Sequence, residues 1–109
     1  MTDAAALRSL ALHIPADHPA FAGHFPGQPL LPGVALLAEV LEAVLADAAL
    51  AARVGSAPRL ANTKFLAPVR PGAQLEVRLD GSGRGLRFEV RDLSNGARVA
   101  ASGQFEAAP

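Results

Sequence analysis

His24-Phe25-Pro26-Gly27-Gln28-Pro29-Leu30-Leu31-Pro32-Gly33-Val34 leads directly into an apolar segment of helical spacing. Three prolines and two glycines in eleven residues exclude a regular element. Each proline fixes φ and removes a backbone donor, so the stretch reads as a stiff, extended loop. His24 stands in it nine residues before Gly33. Its imidazole titrates near neutral pH, which makes it the candidate general base. Pro32-Gly33 opens a helix, whose first amides are unpaired donors at the positive end of the helix dipole. A base held near such donors suits proton abstraction beside a carbonyl, where negative charge develops.

Working outward, the helix is expected to run from Gly33 to about Val54, with Gly55 as its stop. Glu39, Glu42, Asp47 and Arg53 share one narrow polar stripe, and the other faces are apolar. That pattern predicts a buried helix wrapped by a sheet. Upstream, residues 7–14 alternate as a strand that Pro15 ends, and Asp17-His18-Pro19 begins a turn or short 3₁₀ segment. After Pro58 the period becomes two, giving strands over 60–67, 74–79, 86–92 and 98–105. The turns carry Pro71-Gly72, Gly81-Ser82-Gly83 and Ser94-Asn95-Gly96, and such short connections predict antiparallel hairpins between successive strands. The economical architecture is α+β: one antiparallel β-sheet wrapped around a long central α-helix, with residues 1–109 as a single domain.

Composition narrows the function classes. Ten basic residues balance ten acidic ones, so no basic field attracts nucleic acid or anionic lipid. The absence of cysteine excludes disulfides and thiolate chemistry and fits a cytoplasmic setting. The start reads as no signal peptide, and Glu39, Glu42 and Asp47 argue against a membrane span. Much of the apolar half of the chain is alanine, which buries little area, so a partner chain is expected to cover part of the surface. His13, His18 and His24 match no common metal-ligand spacing, and no metal site is expected. His13 reads as a wet-face strand residue and His18 as a turn residue. Arg70, Arg84 and Arg87 read as solvated, or as contacts for an acidic carrier.

The segment 24–34 resembles the signature of the β-hydroxyacyl-thioester dehydratases of fatty-acid synthesis, which have the hot-dog fold. Lys64-Phe65, Pro68-Val69, Pro71-Gly72 and Leu75 resemble that family's later strand-turn-strand motif, in the same order and spacing. The resemblance implies a lyase of lipid metabolism that eliminates water from a 3-hydroxyacyl thioester on acyl carrier protein, giving a trans-2-enoyl product. It implies a dimer with sites at its interface, a tunnel for the acyl chain beside the helix, and no metal or redox cofactor. His24 is then the base, and the Gly33 and Val34 amides stabilise the thioester oxygen. Phe21 and Phe25 flank the loop as core or tunnel residues, and Phe25 is grouped with Gly33 and Val34 as substrate-binding.

One position departs from the pattern. The family's acid falls fourteen residues after the histidine and faces the partner chain's histidine; here that position is Ala38. Glu39 is the candidate replacement, although one step along a helix rotates a side chain by about 100°. Glu42 lies nearly on the right face but roughly 6 Å further along the axis. Three readings stay open: Glu39 acts, water or another side chain acts weakly, or a related chain in a mixed dimer supplies the acid. A homodimer and a heterodimer are both compatible with this reading. The remaining alternatives are a catalytically weakened thioester-binding subunit and a hot-dog thioesterase using Glu39.

Overall fold

The computed structural model describes residues 8–22, 30–83 and 85–107. His24 and Phe25, two of the expected site residues, lie outside the described residues, as does Arg84.

Five strands form one antiparallel sheet: β1 (Arg8–His13), β2 (Arg59–Phe65), β3 (Gln74–Ser82), β4 (Gly85–Asp92) and β5 (Arg98–Glu106). The strand order is β1-β3-β4-β5-β2. Strict alternation sets the faces. Leu75, Val77 and Leu79 of β3 and Leu86, Phe88 and Val90 of β4 are buried together, and Arg78 and Arg87 point the other way into solvent. Phe88 stacks on Phe105 of β5 with centroids 4.8 Å apart. Gly103 stands opposite Phe88, and a Cβ there would press into the ring at 2.8 Å. A bare position in the strand is what lets the aromatic ring lie flat.

Helix α1 (Gly33–Leu45) lays Leu36, Val40 and Val44 on this apolar face. Their spacing of four residues makes one stripe along the helix. Burying side chains of this size stabilises the fold by roughly 1.5–3 kcal/mol each. The expected unbroken helix to Val54 is corrected here. It stops at Leu45, and a second helix, α2 (Ala48–Val54), follows. Asp47 leaves the helical conformation at φ −100°, ψ 117°, and its carboxylate accepts from the Ala49 and Leu50 amides. It also pairs with Arg8 of β1. The capping carboxylate breaks the helix without glycine or proline. Gly55 ends α2, with its amide bonded to the Ala51 carbonyl.

The sheet covers the apolar stripe of α1, as expected for a central helix. Val34 is 80% exposed, and Ala38, Glu42 and Leu45 are exposed as well. The helix lies on one side of the sheet and shows its other side to solvent. No helix among the described residues is long and apolar enough to cross a membrane.

The β3–β4 and β4–β5 connections are hairpins, but β2 and β3 are not neighbours. The Pro71-Gly72 turn instead ends a crossover that runs from β2, at one edge, to β3, the neighbour of β1 at the other. It is held by β1, because the Gly72 amide donates to the Ile14 carbonyl and the Ile14 amide to the Ala73 carbonyl, both at 2.9 Å. β2 forms the far edge. Its pairing with β5 slips between Ala61 and Lys64, where Asn62 adopts φ 52° and its side-chain Nδ2 donates to Gln104 Oε1 at 2.7 Å.

Two substitutions test this framework by urea denaturation. Gly85→Ala would drive a Cβ into the Phe105 carbonyl, fixed backbone that cannot step aside; the expected loss is about 2 kcal/mol or more. Asp47→Ala removes the α2 cap and is expected to cost about 1 kcal/mol.

Candidate active site

The amino end of α1 is where the two sequence motifs meet. Pro32 occupies the N-cap, and the first helical bond runs from the Leu36 amide to the Pro32 carbonyl at 3.0 Å. The amides of Gly33, Val34 and Ala35 therefore receive no acceptor from the helix itself. No acidic side chain occupies the first turn, so the positive end of the dipole is not offset there.

The Leu31 amide donates to the Val69 carbonyl at 2.8 Å. This bond brings the incoming loop against the crossover after β2. Phe65 closes over the same point: a Cβ on Gly33 would lie 2.6 Å from its ring. The space at Gly33 is thus filled by an aromatic side chain of the second motif. Around it runs an open groove of about 350 Å³, lined by Leu30, Leu31, Leu36, Phe65, Leu66 and Val69 among others. Phe65 and Leu66 are 53% and 58% exposed. An apolar groove beside amides that have no acceptor within the helix is suited to an acyl chain whose polar end must be hydrogen-bonded.

The three helix positions around the missing acid diverge. Ala38 is exposed on the outer side of α1, and so is Glu42. Glu39 turns back toward the loop before His24. Its Oε2 lies 2.9 Å from His18 Nε2. His18 Nδ1 accepts the Ala20 amide at 3.0 Å and so caps the 3₁₀ turn Pro19–Phe21. A ring nitrogen that accepts a backbone N–H carries no proton, so Nε2 bears the hydrogen and donates it to Glu39. The sequence marked His18 as a turn residue, but nothing in it signals a partner twenty-one positions away.

Phe21 packs partly buried against the core, with its ring edge toward His18 at 6.1 Å. His13 sits on the exposed side of β1 and shares a 2.8 Å hydrogen bond with Gln74. Among the described residues no three histidine or acidic side chains gather as metal ligands.

An antiparallel sheet packed on a central helix is the architecture of the hot-dog class. A family model described as ApeI-like, ApeI dehydratase, matches residues 2–104. The chain belongs to this ApeI-like dehydratase family. It is 35% identical over 89 residues to a 3-hydroxyacyl-[acyl-carrier-protein] dehydratase FabZ of Symbiobacterium thermophilum, covering 71% of this chain and 63% of that one. A protein of the same name from Haemophilus influenzae is 39% identical over 70 residues, covering 60% and 47%. The chain thus spans between about half and two thirds of these curated relatives. Among solved structures, an uncharacterized protein from Erwinia carotovora subsp. atroseptica superposes with TM-score 0.74 at 34% identity, covering 93% of this chain and 82% of that one. The dehydratase heterocomplex ApeI:P from Xenorhabdus doucetiae superposes with TM-score 0.71 at 27% identity, covering 97% and 90%.

The contact between Gly33 and Phe65 is testable. Gly33→Ala is expected to turn the half-exposed Phe65 ring aside, changing stability by less than about 1 kcal/mol. Combined with Phe65→Ala its effect should vanish, a non-additivity that thermal denaturation of the four proteins would reveal.

Proposed function

We propose that this chain supplies one half of a dehydratase site for 3-hydroxyacyl thioesters carried on acyl carrier protein in the cytoplasm. The observation that carries the reading is the apolar groove beside the start of α1, whose first amides have no acceptor within the helix. His24 removes the proton from C2 of the acyl group. The electron pair moves onto the thioester oxygen, which the Gly33 and Val34 amides stabilise. The pair returns to form the C2–C3 double bond as the C3 hydroxyl leaves, protonated, as water. The elimination is redox-neutral, so proton transfers alone balance it. Base catalysis of this kind contributes roughly 10²–10⁴-fold, and one oxyanion donor about 10²–10³-fold. Phe25, one residue after the base, is a candidate wall of the acyl tunnel.

The proton for the leaving hydroxyl comes, in this reading, from the carboxylate of a related hot-dog chain. Two observations favour that source. Ala38 is exposed and cannot donate, and Oε2 of Glu39 already accepts a hydrogen from His18. The surface has room for such a chain. Leu60, Phe65 and Leu66 are exposed at the β2 edge, and Val34 is exposed at the adjoining helix start. The heterocomplex described for the Xenorhabdus structure supports a mixed dimer. A self-paired dimer using Glu39 is the alternative within the same chemistry.

Product analysis on a 3-hydroxyacyl carrier thioester decides the reaction. The expected product is the enoyl thioester, whereas release of free carrier thiol would establish a thioesterase. Ala38→Glu tests the source of the acid. The position is exposed and accepts the larger side chain, and turnover by the isolated chain is expected to rise by about 10²-fold. Full turnover by the isolated wild-type chain, unmoved by Ala38→Glu, would overturn the composite site. His24→Ala is expected to abolish turnover in either case.

A further inference from the structure

The chain between β1 and α1 is folded before it reaches His24. The His18 amide donates to the Pro15 carbonyl at 3.1 Å, the Phe21 amide to the His18 carbonyl at 3.0 Å, and the Ala22 amide to the Pro19 carbonyl at 3.1 Å. Two successive turns therefore gather residues 15–22 into a small knot. His18 is at its centre, its side chain 15% exposed, with both ring nitrogens committed. One nitrogen holds the knot's own turn through Ala20. The other reaches Glu39, 29% exposed, on the second turn of α1. Among the described residues this is the side-chain hydrogen bond that joins the knot to the helix. His24 follows only two residues after Ala22. Beyond His24 in sequence, Leu31 is fixed by its bond to the Val69 carbonyl. In sequence, the base therefore stands between two anchored positions, Ala22 and Leu31.

We propose that His18 and Glu39 are positioning residues, a paired clamp that fixes where the chain sets out toward His24. The imidazole acts in its Nε2–H form. Glu39 acts as the acceptor that holds it, and the carboxylate gives up no proton in the reaction. This inference rests on the reading of His24 as the base. A misplacement of about 1 Å in a reacting group can cost as much as 10²-fold in rate, so the clamp matters through geometry.

Three variants separate the roles. Glu39→Gln keeps an oxygen that can accept from Nε2 but loses the acidic proton. Glu39→Ala loses both. His18→Asn keeps an oxygen that can cap Ala20 but is too short to reach Glu39. Long-range ¹H–¹⁵N spectra should show the Nε2–H tautomer of His18 in the wild type, Glu39→Gln and Glu39→Ala, because the Ala20 amide holds Nδ1 in all three, with the Nε2–H hydrogen protected from exchange in the first two and exchanging fast in Glu39→Ala. The rate of His24 acylation by diethyl pyrocarbonate reads the placement of the base without any substrate. It should change in Glu39→Ala and His18→Asn and return to the wild-type value in Glu39→Gln. Turnover of the 3-hydroxyacyl thioester should follow the same order, with kcat falling about tenfold or more in the first two at unchanged KM, and with Glu39→Gln recovering most of it. Loss of turnover in Glu39→Gln equal to that in Glu39→Ala, at a wild-type acylation rate, would show that the proton is used and overturn the clamp. So would acylation rates that are the same in all four proteins. If no variant, wild type included, turns over the thioester, the spectra and the acylation rates still decide the clamp, and only the dehydratase reading fails.

Discussion

The 2.8 Å hydrogen bond from the Leu31 amide to the Val69 carbonyl joins the two halves of the site. It ties the loop entering α1 to the crossover leaving β2. With that tie in place, Phe65 reaches the amino end of the helix and covers Gly33. Val69, 2% exposed, then enters the core with Leu31 and Leu36. The bond is an ordinary backbone contact, and its net contribution is about 1 kcal/mol. Its effect is geometric. It brings together segments more than thirty residues apart and builds an apolar groove beside the start of α1.

The chemistry of the site turns on a single helical step. Ala38 and Glu39 are adjacent in the chain but about 100° apart around the axis. Ala38 faces outward, where another chain can approach, and Glu39 faces back onto the loop. A carboxylate displaced by one residue is therefore not a carboxylate in nearly the same place. It acquires a different neighbour, and the outer side of α1 is left with no acid at the family position.

The legible part of the fold was the part governed by short periods. In Leu86-Arg87-Phe88-Glu89-Val90-Arg91, alternation alone assigns every side chain to a face, and the structure agrees. Gly55 likewise marked the end of the helical stretch correctly. The break at Asp47 was hidden because alanines surround it, and alanine favours a continuous helix. Only the tertiary position of Arg8 and the cap itself reveal it. The crossover was hidden because a Pro-Gly turn looks the same whether or not its flanking strands pair. Of the site, the helix start and the second motif could be read in advance. The pair of His18 with Glu39, and Phe65 against Gly33, arise from contacts that no local spacing encodes.

The left-handed turn of Asn62 has a consequence for how this molecule behaves in a crowded cell. β2 is the outermost strand, and a straight outermost strand invites any extended peptide to add to it. Here the ladder is interrupted in the middle, and the lone conformer at Asn62 is held by Gln104. A newcomer would have to reproduce the same irregularity to bond along the full length. The kink filters its company: fibril-like stacking of flat strands is discouraged, while a chain with a matching contour is still admitted.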